Sequence, residues 1–180
     1  MRGCATLLLL VASLAAANPV TQYVTLSPVH SVTVAAGKPQ KVMLTFHVLP
    51  RYHINSNKPH TEFLIPTRLK LEPPTDLGVG AIAYPAGADI SLSFAPDDKL
   101  SVYTGTVPIT ASVSAVPSAV PGTYRMRGEL MYQACDDSAC YPPRKLPVEF
   151  DVRVTKSRIH PASETVPHSK NPPQSPHVHR

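Results

Sequence analysis

Tryptophan is absent from this chain, helix-favouring runs are few, and no stretch beyond the amino-terminal segment approaches a membrane span in apolar length. A helix needs roughly 20 apolar residues to cross a bilayer, so no membrane-spanning helix is expected in the mature protein. Charge of one sign is also missing where it would matter. The net charge is +5, but Arg2 supplies one positive charge and the segment from Lys156 to Arg180 a surplus of three. Residues 18–155 therefore hold only about +1, which argues against a basic groove for nucleic acid. No internal repeat stands out. Cysteine is scarce too, with three in 180 residues.

The first of these, Cys4, lies in a segment with its own logic. Arg2 precedes an apolar run from Cys4 to Ala17, which ends in Ala15-Ala16-Ala17 before Asn18-Pro19. A basic start, a short apolar stretch and small residues at the end make a secretory signal peptide. Residues 1–17 are thus expected to be removed, Cys4 with them, leaving an exported, soluble protein. A lipid-modified Cys4 fits poorly, because almost no apolar segment precedes it.

The remainder is the size of one domain. It carries 21 prolines and many Val, Thr, Ile and Tyr, a composition that suits an all-β domain with many turns. Apolar and polar residues alternate along several stretches. Val42, Leu44, Phe46 and Val48 point one way, and Lys41, Met43, Thr45 and His47 the other. Val107 to Val113, Tyr124 to Tyr132 and Leu146 to Val154 repeat the pattern. One buried face and one wet face mark antiparallel strands. Shorter candidates lie at 22–26, 29–35, 63–71, 79–84 and 100–106, separated by turn signals such as Gly37-Lys38-Pro39 and Ala95-Pro96-Asp97-Asp98. Seven or more such strands predict an immunoglobulin-like antiparallel β-sandwich over residues 18–155, with a closed barrel as the alternative. After Val154 the pattern stops. Residues 156–180 read as a disordered Pro/His-rich tail, whose His160, His168, His177 and His179 are more simply solvated than metal-bound.

The chemistry concentrates in Tyr132-Gln133-Ala134-Cys135-Asp136-Asp137-Ser138-Ala139-Cys140-Tyr141-Pro142-Pro143. Strands ending near Ala134 and resuming near Tyr141 would form a hairpin with the two cysteines flanking its loop. Residues facing each other across antiparallel strands have Cα atoms roughly 4.5 to 5.5 Å apart, and a disulfide tolerates roughly 4.4 to 6.8 Å. The thiols could join, or separate, with little backbone motion. As a staple the bond is weak: closing about six residues removes only about 2 kcal/mol of unfolded-state entropy, against about 4.7 for a 100-residue loop. Asp136 and Asp137 should raise a neighbouring thiol's pKa, whereas Arg144 and Lys145 should lower it. A metal centre built from the pair with His53 or His60 is a further option, although the spacing matches no standard site.

The run Tyr132-Gln133-Ala134-Cys135, then Cys140-Tyr141-Pro142-Pro143, resembles the cysteine motif of the amino-terminal domain of the thiol:disulfide interchange protein DsbD family. Tyr52-His53-Ile54-Asn55-Ser56-Asn57-Lys58-Pro59 is similar to that family's strand beside the active site, and Leu100-Ser101-Val102-Tyr103-Thr104-Gly105 to its next landmark. The likeness covers roughly residues 25–154. It implies a periplasmic immunoglobulin-like domain with protein-disulfide reductase activity and no cofactor. A thioredoxin-like reductant would reduce the pair, which would then reduce disulfide-bearing exported proteins. Carried over, Cys140 forms the mixed disulfides and Cys135 resolves them. His53 and Asn55 sit beside the pair, Tyr132 and Tyr141 flank it as core or rim residues, and a cap loop over Ser91–Asp98 covers it with Phe94. A strand histidine is more often a packing or hydrogen-bonding residue than an acid–base catalyst. Full-length members continue into a membrane electron conduit and a second, thioredoxin-like domain. This sequence holds neither, so the reductant is expected to come from another protein. The competing reading is a non-catalytic binding or adaptor module whose disulfide ties off a hairpin.

Overall fold

A computed structural model describes residues 22–92 and 95–157 of the chain, apart from the side chains of residues 92–98. The signal segment, residues 1–17, and the tail histidines His160, His168, His177 and His179 lie outside the described residues. Twelve strands follow in order: β1 (Val24–Leu26), β2 (Val32–Ala35), β3 (Gln40–Val48), β4 (His53–Asn55), β5 (Arg68–Glu72), β6 (Leu77–Ala83), β7 (Ala88–Leu92), β8 (Ala95–Tyr103), β9 (Thr106–Ala115), β10 (Gly122–Tyr132), β11 (Ala134–Cys135) and β12 (Arg144–Thr155).

They form three four-stranded sheets, ordered β1-β3-β9-β6, β2-β12-β10-β5 and β11-β4-β8-β7. The alternation read from the sequence decides which faces meet. Val42, Leu44, Phe46 and Val48 of β3 and Val107, Ile109, Ala111 and Val113 of β9 are buried, while Met43 is 63% exposed. From the second sheet, Met126 and Leu130 of β10 and Val148, Phe150, Val152 and Val154 of β12 join them in one buried cluster. Two sheets sharing one apolar interior make the all-β, immunoglobulin-like sandwich. Each large side chain so buried contributes roughly 1.5–3 kcal/mol. The sheets do not close on one another, which removes the barrel alternative.

Pro108 and Pro147 sit inside strands, at positions with a neighbour on one side only. β6 pairs with β9 from Thr110 onward, and β2 pairs with β12 from Val152 onward. A residue without an N–H is tolerated where no second strand needs the donor. Gly128 answers a different need, since a Cβ there would collide with the Lys70 carbonyl of β5.

Three details depart from the sequence expectations. The pairing of β12 with β2 is parallel, unlike the others. The strand expected at 63–71 begins only at Arg68, after Pro66. Ala95–Asp98, expected as a turn, opens β8, which pairs with β7 as a hairpin containing a register shift next to Leu92. Of the segment proposed as a cap, Ser91–Asp98, the described residues Ser91, Leu92 and Ala95–Asp98 thus belong to β7 and β8. Phe94 lies outside the described residues.

Candidate functional site

β10 and β12 pair continuously from Gly122 with Val154 to Tyr132 with Arg144. The residues between them leave that sheet. Ala134 and Cys135 become β11 and pair with Ile54 and His53 of β4, on the edge of the third sheet. Pro142 and Pro143 have no N–H to offer a ladder, so the return path cannot continue as paired strand until Arg144.

Cys135 and Cys140 face each other across the hairpin and are joined by a disulfide, with Cα atoms 4.0 Å apart. The pairing is closer than the 4.5 Å typical of a non-hydrogen-bonded pair. Hydrogen bonds bracket it on both sides: the Tyr141 N–H donates to the Ala134 carbonyl at 2.8 Å, and the Asp136 N–H to the Ala139 carbonyl at 2.9 Å. The two sulfurs are in unlike surroundings. Cys135 is fully buried, whereas Cys140 is exposed.

Asp136 builds the turn. Its Oδ1 accepts from the Ser138 N–H at 2.8 Å, the Ser138 hydroxyl at 2.7 Å and the Ala139 N–H at 2.9 Å. Its Oδ2 accepts from the Tyr141 phenol at 2.6 Å. A side-chain carboxylate bonding forward to its own backbone is what makes aspartate a turn residue. Those donors, the Tyr141 phenol first, hold the Asp136 carboxyl well below the usual carboxylate range. Reciprocally, the Asp136 carboxylate pushes the Tyr141 phenol up to about 12. Tyr141 also stacks on Tyr23, ring centroids 4.9 Å apart, and meets Tyr52 edge-on at 6.0 Å. The turn is thus fastened to the sandwich through a ring as well as through backbone.

On the other side of the pair lies β4. His53 and Asn55 share one face of this short strand, and Ile54 on the opposite face enters the main core with its partner Ala134. Asn55 donates to the Ile65 carbonyl at 3.0 Å and to the Gln133 side chain at 3.2 Å, and Gln133 in turn donates to the Tyr141 carbonyl at 3.2 Å. Asn55 therefore acts on the hairpin through Gln133. His53 is buried, and burial depresses its pKa, with Asp137 and then Asp136 pulling weakly the other way. Its Nε2 has no hydrogen-bond partner among the described residues. Tyr132 is buried in the main core, where burial raises its pKa against backbone groups of Tyr23 and Val24. It stands behind the hairpin.

Of the basic residues read as thiol-activating, Lys145 is held in an ion pair, whereas the buried Arg144 Nε has no hydrogen-bond partner among the described residues. Lys145 pairs with Glu129 at 2.9 Å, and Arg144, half-buried, lies near the Tyr132 phenol. His60 bonds Asp89 at 2.8 Å, and no group of three or more His, Cys, Asp or Glu suited to a metal ion occurs among the described residues. Sequence reasoning missed Gln133, Tyr23 and Tyr52 as site residues. Gln133 stands inside the cysteine motif and could have been found there. Tyr52 opens the run likened to the family's strand beside the site and could have been found there too, whereas Tyr23 is remote in sequence and carries no local signal.

The family model for the amino-terminal domain of the thiol:disulfide interchange protein DsbD matches residues 21–151. The chain belongs to this family. Among solved structures, the reduced amino-terminal domain of DsbD from Neisseria meningitidis is 23% identical, over 62% of this chain and 75% of that one, with a TM-score of 0.39. A complex between the DsbD and PilB amino-terminal domains of Neisseria meningitidis is 22% identical, over 62% and 73% of the respective chains, at a TM-score of 0.36. No match was found among curated proteins. Family membership and a disulfide-bonded pair at a sheet edge fit thiol–disulfide exchange.

Proposed function

We propose that this protein is an exported, periplasmic thiol–disulfide exchange domain, which carries reducing equivalents from a thioredoxin-like reductant to disulfide-bearing exported proteins. The observation that carries this reading is the unequal exposure of the two sulfurs, with Cys140 open to a partner and Cys135 fully buried beneath it. A thiolate of the reductant attacks Cys140 Sγ, the Cys135–Cys140 bond breaks, and Cys135 leaves as a thiolate. A second thiol of the reductant then attacks the mixed disulfide, so that the reductant is oxidised and both cysteines are reduced. In the outward step the Cys140 thiolate attacks a client disulfide. Cys135 displaces the client from Cys140, and the client departs with two thiols.

In this mechanism Cys140 is the catalytic nucleophile and Cys135 the resolving one. Asn55 and Tyr141 are positioning residues that fix the hairpin, and Tyr132 packs behind it. The proposed cover, Phe94, is tested by alkylation: Phe94→Ala should speed modification of the reduced cysteines, and an unchanged rate removes it from the site. For the mechanism itself, Cys135→Ala should accumulate mixed disulfides with exported proteins and Cys140→Ala should not. The reverse pattern overturns the assignment of roles. A reduction potential well below about −300 mV would mark a structural bond and sink exchange altogether.

A further inference from the structure

The exchange reading leaves one step without a proton acceptor. Cys135 is fully buried, and burial in apolar surroundings raises a thiol's pKa. Only the thiolate attacks a disulfide, so Cys135 must lose its proton inside the protein before it can resolve a mixed disulfide on Cys140. Water does not reach it. The group placed opposite is His53, the register partner of Cys135 across β4 and β11. Directly opposed residues carry their Cβ atoms roughly 4.5–5.5 Å apart, within reach of a thiol and an imidazole.

His53 has the state the step requires. Its Nε2 is buried without a hydrogen-bond partner among the described residues, and an orphaned buried polar atom calls for an explanation. The disulfide-bonded state provides one: oxidised Cys135 has no S–H, and the missing donor appears only on reduction. With its proton on Nδ1, the ring would carry a free lone pair at Nε2, available to a thiol on its register partner Cys135. The charged groups acting on His53 are Asp137 and Asp136 from the hairpin. Arg51 and Asp137 line the same groove, and on the β8 side the groove is lined by the uncharged Thr104. Burial outweighs the two aspartates and keeps the imidazole neutral at pH 7.

We propose that His53 is the general base for Cys135, taking its thiol proton onto Nε2 during resolution and returning it when Cys135 is the leaving group. In resolution, the Cys135 S–H bond breaks and its electron pair becomes the new S–S bond to Cys140. The former partner sulfur leaves with the pair from the broken bond and takes a proton from water. The imidazolium then gives its proton to solvent. In the reverse direction, Cys135 leaves as a thiolate, and His53, after taking a proton from solvent, passes it on to that sulfur. The inference rests on the exchange reading, and the following test separates the two.

The reduced full chain is treated with 5,5′-dithiobis(2-nitrobenzoate), which loads Cys140 and releases one thionitrobenzoate. Attack by Cys135 releases the second, and its rate is followed by absorbance across pH 5 to 9. General-base catalysis typically contributes about 10²–10⁴-fold, so His53→Gln should slow the second release at pH 7 by about 100-fold. It should also abolish the step in the pH profile that lies below the ordinary histidine pKa. Added imidazole should partly restore His53→Ala. A folded His53→Gln protein with the wild-type rate and profile overturns the proposal while leaving exchange intact, whereas failure of the wild type to release a second equivalent sinks exchange itself. Should the variants not fold, the wild type still decides: His53 followed by NMR should titrate differently in the oxidised and reduced proteins, and identical titrations refute the role.

Discussion

Reducing the Cys135–Cys140 bond should leave the domain folded and only modestly less stable. The bond spans a sequence separation of 5, and the unfolded-state entropy removed by so short a loop is worth about 2 kcal/mol. Neither cysteine belongs to the main core, which Phe46, Leu44, Ile109, Leu130 and their neighbours fill from the two large sheets. Against a typical stability of about 5–15 kcal/mol, a loss of about 2 should lower the melting temperature by roughly 6–12 °C for a domain of this size. Thermal unfolding followed by circular dichroism, with and without a phosphine reductant, measures it. Thermodynamic closure adds a second reading: folding must favour the bond by the same amount, about 30-fold. The pair should then be about 40 mV more negative in the native protein than in the urea-unfolded chain. A reduced protein that loses its cooperative transition, or melts more than about 20 °C lower, would show the bond to be a staple and refute the reasoning.

Loosening the turn should act on the same equilibrium from the other side. Asp136→Ala removes the acceptor of four hydrogen bonds, so the reduced thiols should drift apart and the potential rise, by about 30 mV for each tenfold loss of effective concentration. An unchanged glutathione equilibrium would dismiss the turn as a determinant. Because the Asp136 carboxyl is held below its ordinary range, the turn's contribution is complete above the unfolded-state value and is lost only as pH falls through the lower folded one. Amide exchange at Ser138 and Ala139 should accordingly show the turn intact at pH 4. Tyr141 has the opposite sign: its phenol is raised to about 12, so its contribution holds below pH 10 and fades towards 12. Ultraviolet titration of wild type against Tyr141→Phe isolates that late transition. Gly128→Ala should destabilise the fold by about 1–3 kcal/mol through overpacking, read by urea unfolding, since its Cβ would meet the Lys70 carbonyl.

The large sheets were legible because their residues obey one rule along a whole strand. β3, β9 and β12 alternate without interruption, and burial follows the alternation residue by residue. The third sheet has no such rule. β4 is His53-Ile54-Asn55, all buried, with polar groups on one face, so periodicity has nothing to detect and only the resemblance drew attention to it. β11 has two residues. Ala95–Asp98 carries turn chemistry yet is paired, because the β7 partner decides its conformation. At the site, both cysteines and their apposition could be read from spacing. Their unequal exposure could not, since it depends on β4 arriving from far upstream. The acidic residues were weighed only as charges near a thiol, whereas Asp136 is committed to hydrogen bonds that exist only once the turn has formed.

Two adjacent prolines after Cys140 have a consequence for how this family's scaffold can change. Pro142 and Pro143 interrupt pairing between the reactive tip and β12, so the segment from Gln133 to Tyr141 is a cassette whose backbone ties run to β4 rather than to β12. Insertions or deletions in its loop leave the register of β10 with β12 untouched. The distance between the two sulfurs, and with it the redox poise, can therefore vary from one relative to another without a new core having to be packed.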